Sequence, residues 1–159
     1  MAVFYSFHYD RDHSRVQQII NMGALEGQRI LNAQDWEAVK RKGDKAVENW
    51  IAEQMLYKPA VVVLVGAQTA NRRWVRHEIR KAWDDNRPLV GVRIHGLADF
   101  GKHTDAPGGN PFSQVTLPDG RTVGHYVDLH SPSGWNSQEV YANIKANLIS
   151  WVANACKRS

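Results

Sequence analysis

Trp74 and Glu78 are four residues apart in a segment whose apolar spacing predicts an α-helix from Arg73 to about Asp85. Residues four apart lie on the same side of a helix, so an indole ring and a carboxylate would share one surface. The ring offers a stacking surface to a base or a pyridine ring. The carboxylate can accept hydrogen bonds from ribose hydroxyls and stabilise a developing cation. This pair therefore suggests a site for nucleotide chemistry.

The same spacing also has a purely structural interpretation. Val75, Ile79 and Ala82 are spaced to face a sheet, and Trp74 could belong to the core beside them. Glu78 could form an ion pair with a neighbouring arginine on a solvated helix face. The spacing alone leaves both interpretations open.

Three further residues lie where a ligand could reach them. His8 directly follows the first predicted strand and could contact a phosphate or a sugar hydroxyl, although a lone histidine is more often a structural hydrogen-bonding group. Trp36 lies in the polar segment 32–42, which we predict to be a loop, and could stack on a ligand or pack beneath that loop. Gln68 offers an amide at the turn before the helix, where ordinary turn chemistry would explain it equally well.

Several catalytic signatures are missing from the chain. There is no Walker-type phosphate loop, no GxGxxG fingerprint and no nucleophile elbow, which argues against a P-loop enzyme and a conventional hydride-transfer enzyme. The seven histidines show no metal-ligand spacing, and the single cysteine, Cys156, has no ligand cluster around it. We therefore expect no metal site.

Strand-like and helix-like segments alternate along the chain, which predicts an α/β fold with a mostly parallel sheet of five strands and helices on both faces. The five predicted strands are 2–7, 29–31, 60–65, 89–94 and 126–129. Such a flavodoxin-like sheet binds ligands outside the carboxyl ends of its strands, near the switch point in strand order. Three segments fall there, 7–10, 35–36 and 66–69. The Gly- and Pro-rich stretch 95–124 is predicted to be a long loop or insertion.

Composition sets broader limits. The 159 residues are 43% apolar and 23% charged, as expected for a single globular domain over 1–159. The longest apolar run, 60–65, is too short to span a membrane, and we find no secretory signal. With the single cysteine, this favours a cytoplasmic protein. The net charge of +4 suits an anionic ligand. The basic cluster 71–77 is too short to indicate nucleic-acid binding.

Four segments carry a family resemblance: VFYSFHY at 3–9, WE at 36–37, GAQTANRRWVRHEI at 66–79 and NPF at 110–112. Together they resemble the bacterial TIR-like family that includes the Thoeris anti-phage protein ThsB. The block 66–79 is the most specific part of this resemblance, which extends from about residue 3 to residue 112.

The resemblance implies a flavodoxin-like TIR fold and cleavage of the bond between nicotinamide and ribose in NAD, which would be a substrate, with no further cofactor. The product would be a linear, cyclic or otherwise modified ADP-ribose that acts as a second messenger and activates a separate effector. By position, Glu78 matches the catalytic glutamate. The residues that match the substrate pocket are Phe7, His8, Trp36 and Gln68, and Trp74 would bind substrate or buttress the helix. Many TIR enzymes form homo-oligomers in which two chains complete one pocket.

Two other functions stay open at this point. The chain could be a TIR protein-interaction module without enzymatic activity, whose partner binding would survive Glu78→Gln. It could also be a hydrolase of nucleoside or nucleotide N-glycosidic bonds that uses a similar carboxylate, and a screen of nucleosides against NAD would separate it from an NAD-cleaving enzyme.

Overall fold

A parallel sheet lies at the centre of the computed structural model, which describes residues 1–158. Its four strands are β1 (Val3–Ser6), β2 (Ala60–Val65), β3 (Leu89–Arg93) and β4 (Leu129–His130), and they lie side by side in that order. Tyr5 is opposite Val62, and Val62 is opposite Val90. β2 is wholly apolar because it is buried on both faces of the sheet.

Helices cover both faces of this sheet, which confirms the predicted α/β architecture. They are α1 (Tyr9–Asn21), α2 (Ala33–Arg41), α3 (Asp44–Met55), α4 (Arg73–Asp84) and α5 (Ser137–Ala153). Alternate residues of β2 serve the two faces. Val62 and Leu64 pack in one core with α1 and α5, whereas Val61, Val63 and Val65 pack in a second core with α3 and α4.

The second predicted strand, at 29–31, was wrong, which leaves four strands where five were predicted. The chain beside β1 makes only one strand-like bridge, between Ala2 and Glu26. Beyond it, the Gln28 side chain takes over the backbone pairing of Tyr5. Its Oε1 accepts from the Tyr5 N–H at 2.8 Å, and its Nε2 donates to the Tyr5 carbonyl at 2.8 Å. At this edge of the sheet, a buried side-chain amide thus makes the hydrogen bonds to the Tyr5 backbone that a neighbouring strand would otherwise make.

The predicted loop at 32–42 was also wrong, because this segment forms α2. Asn32 caps the helix by accepting a hydrogen bond from the Asp35 N–H at 2.8 Å. Trp36 is buried and Val39 is partly buried, one turn apart on the inward side. A single short apolar stripe on a polar helix gave too weak a periodic signal to be recognised.

The predicted loop at 95–124 does lack regular strands and long helices. It contains the short 3₁₀ turn Pro111–Gln114, and a second 3₁₀ turn, Val123–His125, begins at its end. Phe112 is fully buried against β3, where any side chain at Gly91 would collide with its ring. The following strand is β4, shorter and later than the predicted 126–129. Throughout residues 1–158, we find no helix with the length and apolar character needed to cross a bilayer.

Candidate functional site

A cavity of about 340 Å³ opens at the carboxyl ends of β1 and β2. This is the edge of the sheet where the predicted topology places a ligand. The volume lies near the lower end of the roughly 300–1,000 Å³ typical of small-molecule sites. Five of the six predicted site residues line the cavity: Phe7, His8, Trp36, Trp74 and Glu78.

Gln68, the sixth predicted residue, is not among the residues that line the cavity. It is exposed and precedes the 3₁₀ turn Thr69–Asn71, and its Oε1 lies 3.5 Å from an Arg72 guanidinium nitrogen. The turn redirects the chain, so that its last residue and the two residues after it face the cavity in place of Gln68. These are Asn71, Arg72 and Arg73.

Glu78 is the buried carboxyl group of the cavity, with only 4% of its surface exposed. Its Oε1 accepts a hydrogen bond of 2.6 Å from the Ser6 hydroxyl at the end of β1, and it forms no ion pair among residues 1–158. Burial raises the pKa of Glu78 to about 8, against the smaller lowering effect of Ser6. The interpretation of Glu78 as the partner of an arginine on a wet helix was therefore wrong. A bound cation would favour its ionised form.

An aromatic stack forms one wall. The Tyr9 ring lies between Phe7 and Trp36, with centroid separations of 4.3 and 4.6 Å. Lys40 lies 5.6 Å from the centroid of the Trp36 ring. Because its neighbours cover both faces of the Tyr9 ring, Tyr9 can offer a ligand only its edge and its hydroxyl. Phe7 and Trp36 line the cavity beside it, and so does Trp74, whose ring the sequence suggested as a stacking surface for a base or a pyridine ring.

Two buried polar atoms of this wall lack a hydrogen-bond partner within the described chain, the Tyr9 hydroxyl and Nδ1 of His8. Burial, and then the charge of Glu78, raise the pKa of the Tyr9 hydroxyl, so it remains a donor. Burial, and then Arg72, lower the pKa of His8 and favour its neutral form. Unsatisfied buried groups are costly, and a polar ligand in the cavity would supply their missing partners.

The entrance of the cavity is positively charged. Lys40, Arg72 and Arg73 line it, with Asp10 as an acidic neighbour. The cap residue of α4 is Arg72, whose side chain makes no capping hydrogen bond, so free N–H groups of the first turn add positive potential. Such a rim suits phosphate groups. The described chain has no group of three or more His, Cys, Asp or Glu side chains arranged to hold a metal ion.

The residues of this site that sequence reasoning missed include Ser6, Tyr9, Lys40, Arg72 and Arg73. Lys40 lies one helical turn after Trp36, and this relation becomes visible only once α2 is recognised. Tyr9 follows Phe7 and His8 in the sequence, so its aromatic ring was a usable signal. Ser6 gave none, because its contact with Glu78 joins residues 72 positions apart.

A comparison with known protein families shows to which family this chain belongs. Residues 4–99 match the family described as Thoeris protein ThsB, TIR-like domain, and this span is more than half of the chain. The protein is a member of the ThsB TIR-like family. All six predicted site residues fall inside the matched span, and the flavodoxin-like sheet is the fold this membership implies.

One relative of this ThsB-like chain is a protein of Bacillus cereus (strain MSX-D12) named "Putative cyclic ADP-D-ribose synthase ThsB1". The two are 33% identical over 118 residues, which cover 71% of this chain and 62% of the relative. The alignment thus spans less than two thirds of the relative's own length.

Proposed function

We propose that this protein cleaves NAD at the bond between nicotinamide and ribose, with Glu78 as the catalytic residue and with no further cofactor. The observation that carries the proposal is a single buried carboxyl group at an aromatic cavity with a basic rim. The name of the Bacillus cereus relative, "Putative cyclic ADP-D-ribose synthase ThsB1", supports the same reaction class.

The chemistry needs only a few groups. The C1′–N bond breaks with its electron pair going to the pyridinium nitrogen, so nicotinamide leaves as a neutral molecule and needs little acid catalysis. Positive charge then develops on the ribose ring. An ionised Glu78 facing that charge, in a site shielded from water, lowers the barrier electrostatically.

The ionisation of Glu78 follows from the substrate itself. With its pKa near 8, the carboxyl holds a proton for most of the time at neutral pH. The fixed positive charge of the nicotinamide ring favours the carboxylate, so binding of NAD expels that proton. Without substrate, Glu78 is therefore neutral and no unpaired charge is buried. Glu78 becomes negatively charged when the positive charge of the bound substrate lies beside it.

The other residues of the cavity would hold the substrate in position. Phe7, Trp36 and Trp74 line the space that the nicotinamide would occupy, while the Tyr9 hydroxyl and His8 Nδ1 have free hydrogen-bonding capacity for the carboxamide or the ribose. The arginines at the rim would contact the diphosphate.

The fate of the ribose carbon sets the product. A new bond to C1′ comes from water, which gives linear ADP-ribose, or from a nucleophilic atom of the same molecule, which gives a cyclic product. Either nucleophile loses a proton. We propose the cyclic type, made as a second messenger in the cytoplasm during anti-phage defence and sensed by a separate effector, with assembly into homo-oligomers as a condition of activity.

Incubation with NAD, followed by mass spectrometry of the products, tests this proposal. We expect free nicotinamide together with a cyclic ADP-ribose isomer, one water lighter than linear ADP-ribose. Release of linear ADP-ribose alone would retain the cleavage and refute the cyclisation. No nicotinamide, at high protein concentration and in lysate of infected cells alike, would refute the cleavage.

A further inference from the structure

A second cavity, which we call the arginine cleft, adjoins the first on the outer side of α4. Its volume is about 430 Å³. Its charged and aromatic lining comprises Arg73, Trp74, Arg76, His77 and Arg80 from α4 and Glu48 from α3. Arg73 and Trp74 also line the first cavity, so these two residues form the boundary between the two spaces.

The boundary is built from stacked groups. The Arg73 guanidinium lies 4.5 Å from the centroid of the Trp74 ring, and it also forms a 2.9 Å ion pair with Asp44. The same indole and the His77 ring meet in a T-shaped contact at a centroid distance of 5.5 Å. The guanidinium thus stands where a ligand would pass from one cavity to the other, and the two rings give the arginine cleft an apolar surface.

The charge of the arginine cleft favours an anion. Three arginines line it and Glu48 is the one acidic residue among its lining side chains. Arg80 also donates to the Thr116 carbonyl at 3.2 Å, which leaves Arg76 as the arginine with no protein partner among the described residues. Burial lowers the pKa of His77, so its ring is favoured as a neutral aromatic surface.

We propose that the arginine cleft binds the adenosine-diphosphate half of the dinucleotide whose nicotinamide riboside half occupies the first cavity. The inference rests on the proposed function and extends it to a substrate-binding subsite. A cavity of about 340 Å³ suits one nucleoside, and a dinucleotide has two joined by a diphosphate. Arg73 at the boundary would meet the diphosphate. Arg76 would meet its adenosine-side phosphate, and Trp74 with His77 would face the adenine.

Binding of fragments by isothermal titration calorimetry tests the inference. The protein carries Glu78→Gln so that NAD stays intact, and the ligands are NAD, ADP and nicotinamide mononucleotide. Adding Arg76→Gln should weaken binding of both NAD and ADP about tenfold, as expected for the loss of one charge-assisted contact, and change binding of nicotinamide mononucleotide less than twofold. Lys145→Gln, at an exposed position of α5, is the matched control and should leave all three affinities unchanged.

A competition titration shows whether the arginine cleft is part of the NAD-binding site or a separate nucleotide site. If it holds half of the substrate, ADP must compete with NAD. Binding of ADP to protein already saturated with NAD would show a separate nucleotide site and overturn the inference, as would an ADP affinity that Arg76→Gln leaves unchanged. The ADP measurements need no cleavage. If ADP binds as expected but the wild type does not cleave NAD, that result would therefore count against the proposed function and not against the inferred binding site.

Discussion

Glu78→Gln should remove a pH dependence of folding stability that the wild-type protein carries between about pH 4.5 and 8. In the folded protein burial raises the pKa of Glu78 to about 8, whereas its ordinary value is 4.5. Between these values the folded state holds a proton that the unfolded state releases. The free energy of unfolding therefore falls as the pH rises through this window and loses no more above it.

The structure sets the size of this effect. One proton that only the folded state holds corresponds to a slope of about 1.4 kcal/mol per pH unit. From pH 5 to pH 7 the wild type should therefore lose roughly 3 kcal/mol relative to Glu78→Gln. Glutamine has the same shape, and its Oε1 can still accept the Ser6 hydrogen bond, so the substitution removes the titration without opening a cavity.

Urea denaturation of both proteins at pH 5, 6, 7 and 8 measures the effect as a difference, which cancels every other titrating group. Glu53→Gln, at an exposed position of α3, is the control for the same chemical change. The reasoning is refuted if the wild type and Glu78→Gln keep a constant difference in unfolding free energy across this range.

Two further substitutions probe the surroundings of Glu78, and a third probes the buried arginine of α1. Ser6→Ala removes a hydrogen bond that lowers the pKa of Glu78, so the rise of kcat/KM with pH, centred near pH 8 in the wild type, should move to higher pH; an unmoved profile would contradict this. Tyr9→Phe deletes a buried hydroxyl that lacks a protein partner. It should raise the free energy of unfolding, measured in urea, by about 1 kcal/mol and also raise KM for NAD. A loss of stability would show that the Tyr9 hydroxyl does have a stabilising partner in the protein. Arg15→Ala should lower the free energy of unfolding by about 3–5 kcal/mol, because Arg15 is buried, forms an ion pair with Asp12 at 3.0 Å and donates to the carbonyls of Leu97 and His103. Unchanged stability together with unchanged hydrogen exchange at 97–103 would contradict this prediction.

The sequence predicted well where one physical signal dominates a segment. The predicted bounds of the central strand, 60–65, are those of β2, because a β-branched apolar run has few alternatives to a buried parallel strand. The helix predicted from Arg73 to about Asp85 ends one residue earlier, at Asp84. The general location of the site at the carboxyl ends of the strands followed from the same alternation of elements.

The prediction failed where tertiary contacts replace local ones. At 29–31 a few apolar residues suggested a strand, yet the Gln28 side chain satisfies the backbone of Tyr5. In α2 the buried face consists of little more than Trp36, so the polar composition outweighed the periodicity. The pKa of Glu78 depends on a contact with Ser6 and on burial by distant segments. The sequence around residue 78 contains no sign of either.

Nicotinamide release from NAD, measured side by side for wild type and Glu78→Gln at pH 8, tests the central claim most directly. We predict sustained release by the wild type and a fall of about 100-fold or more for Glu78→Gln, with Glu53→Gln retaining the wild-type rate. Urea denaturation of the same samples should show that Glu78→Gln is folded and at least as stable as the wild type. A folded Glu78→Gln protein that releases nicotinamide at the wild-type rate would contradict the account.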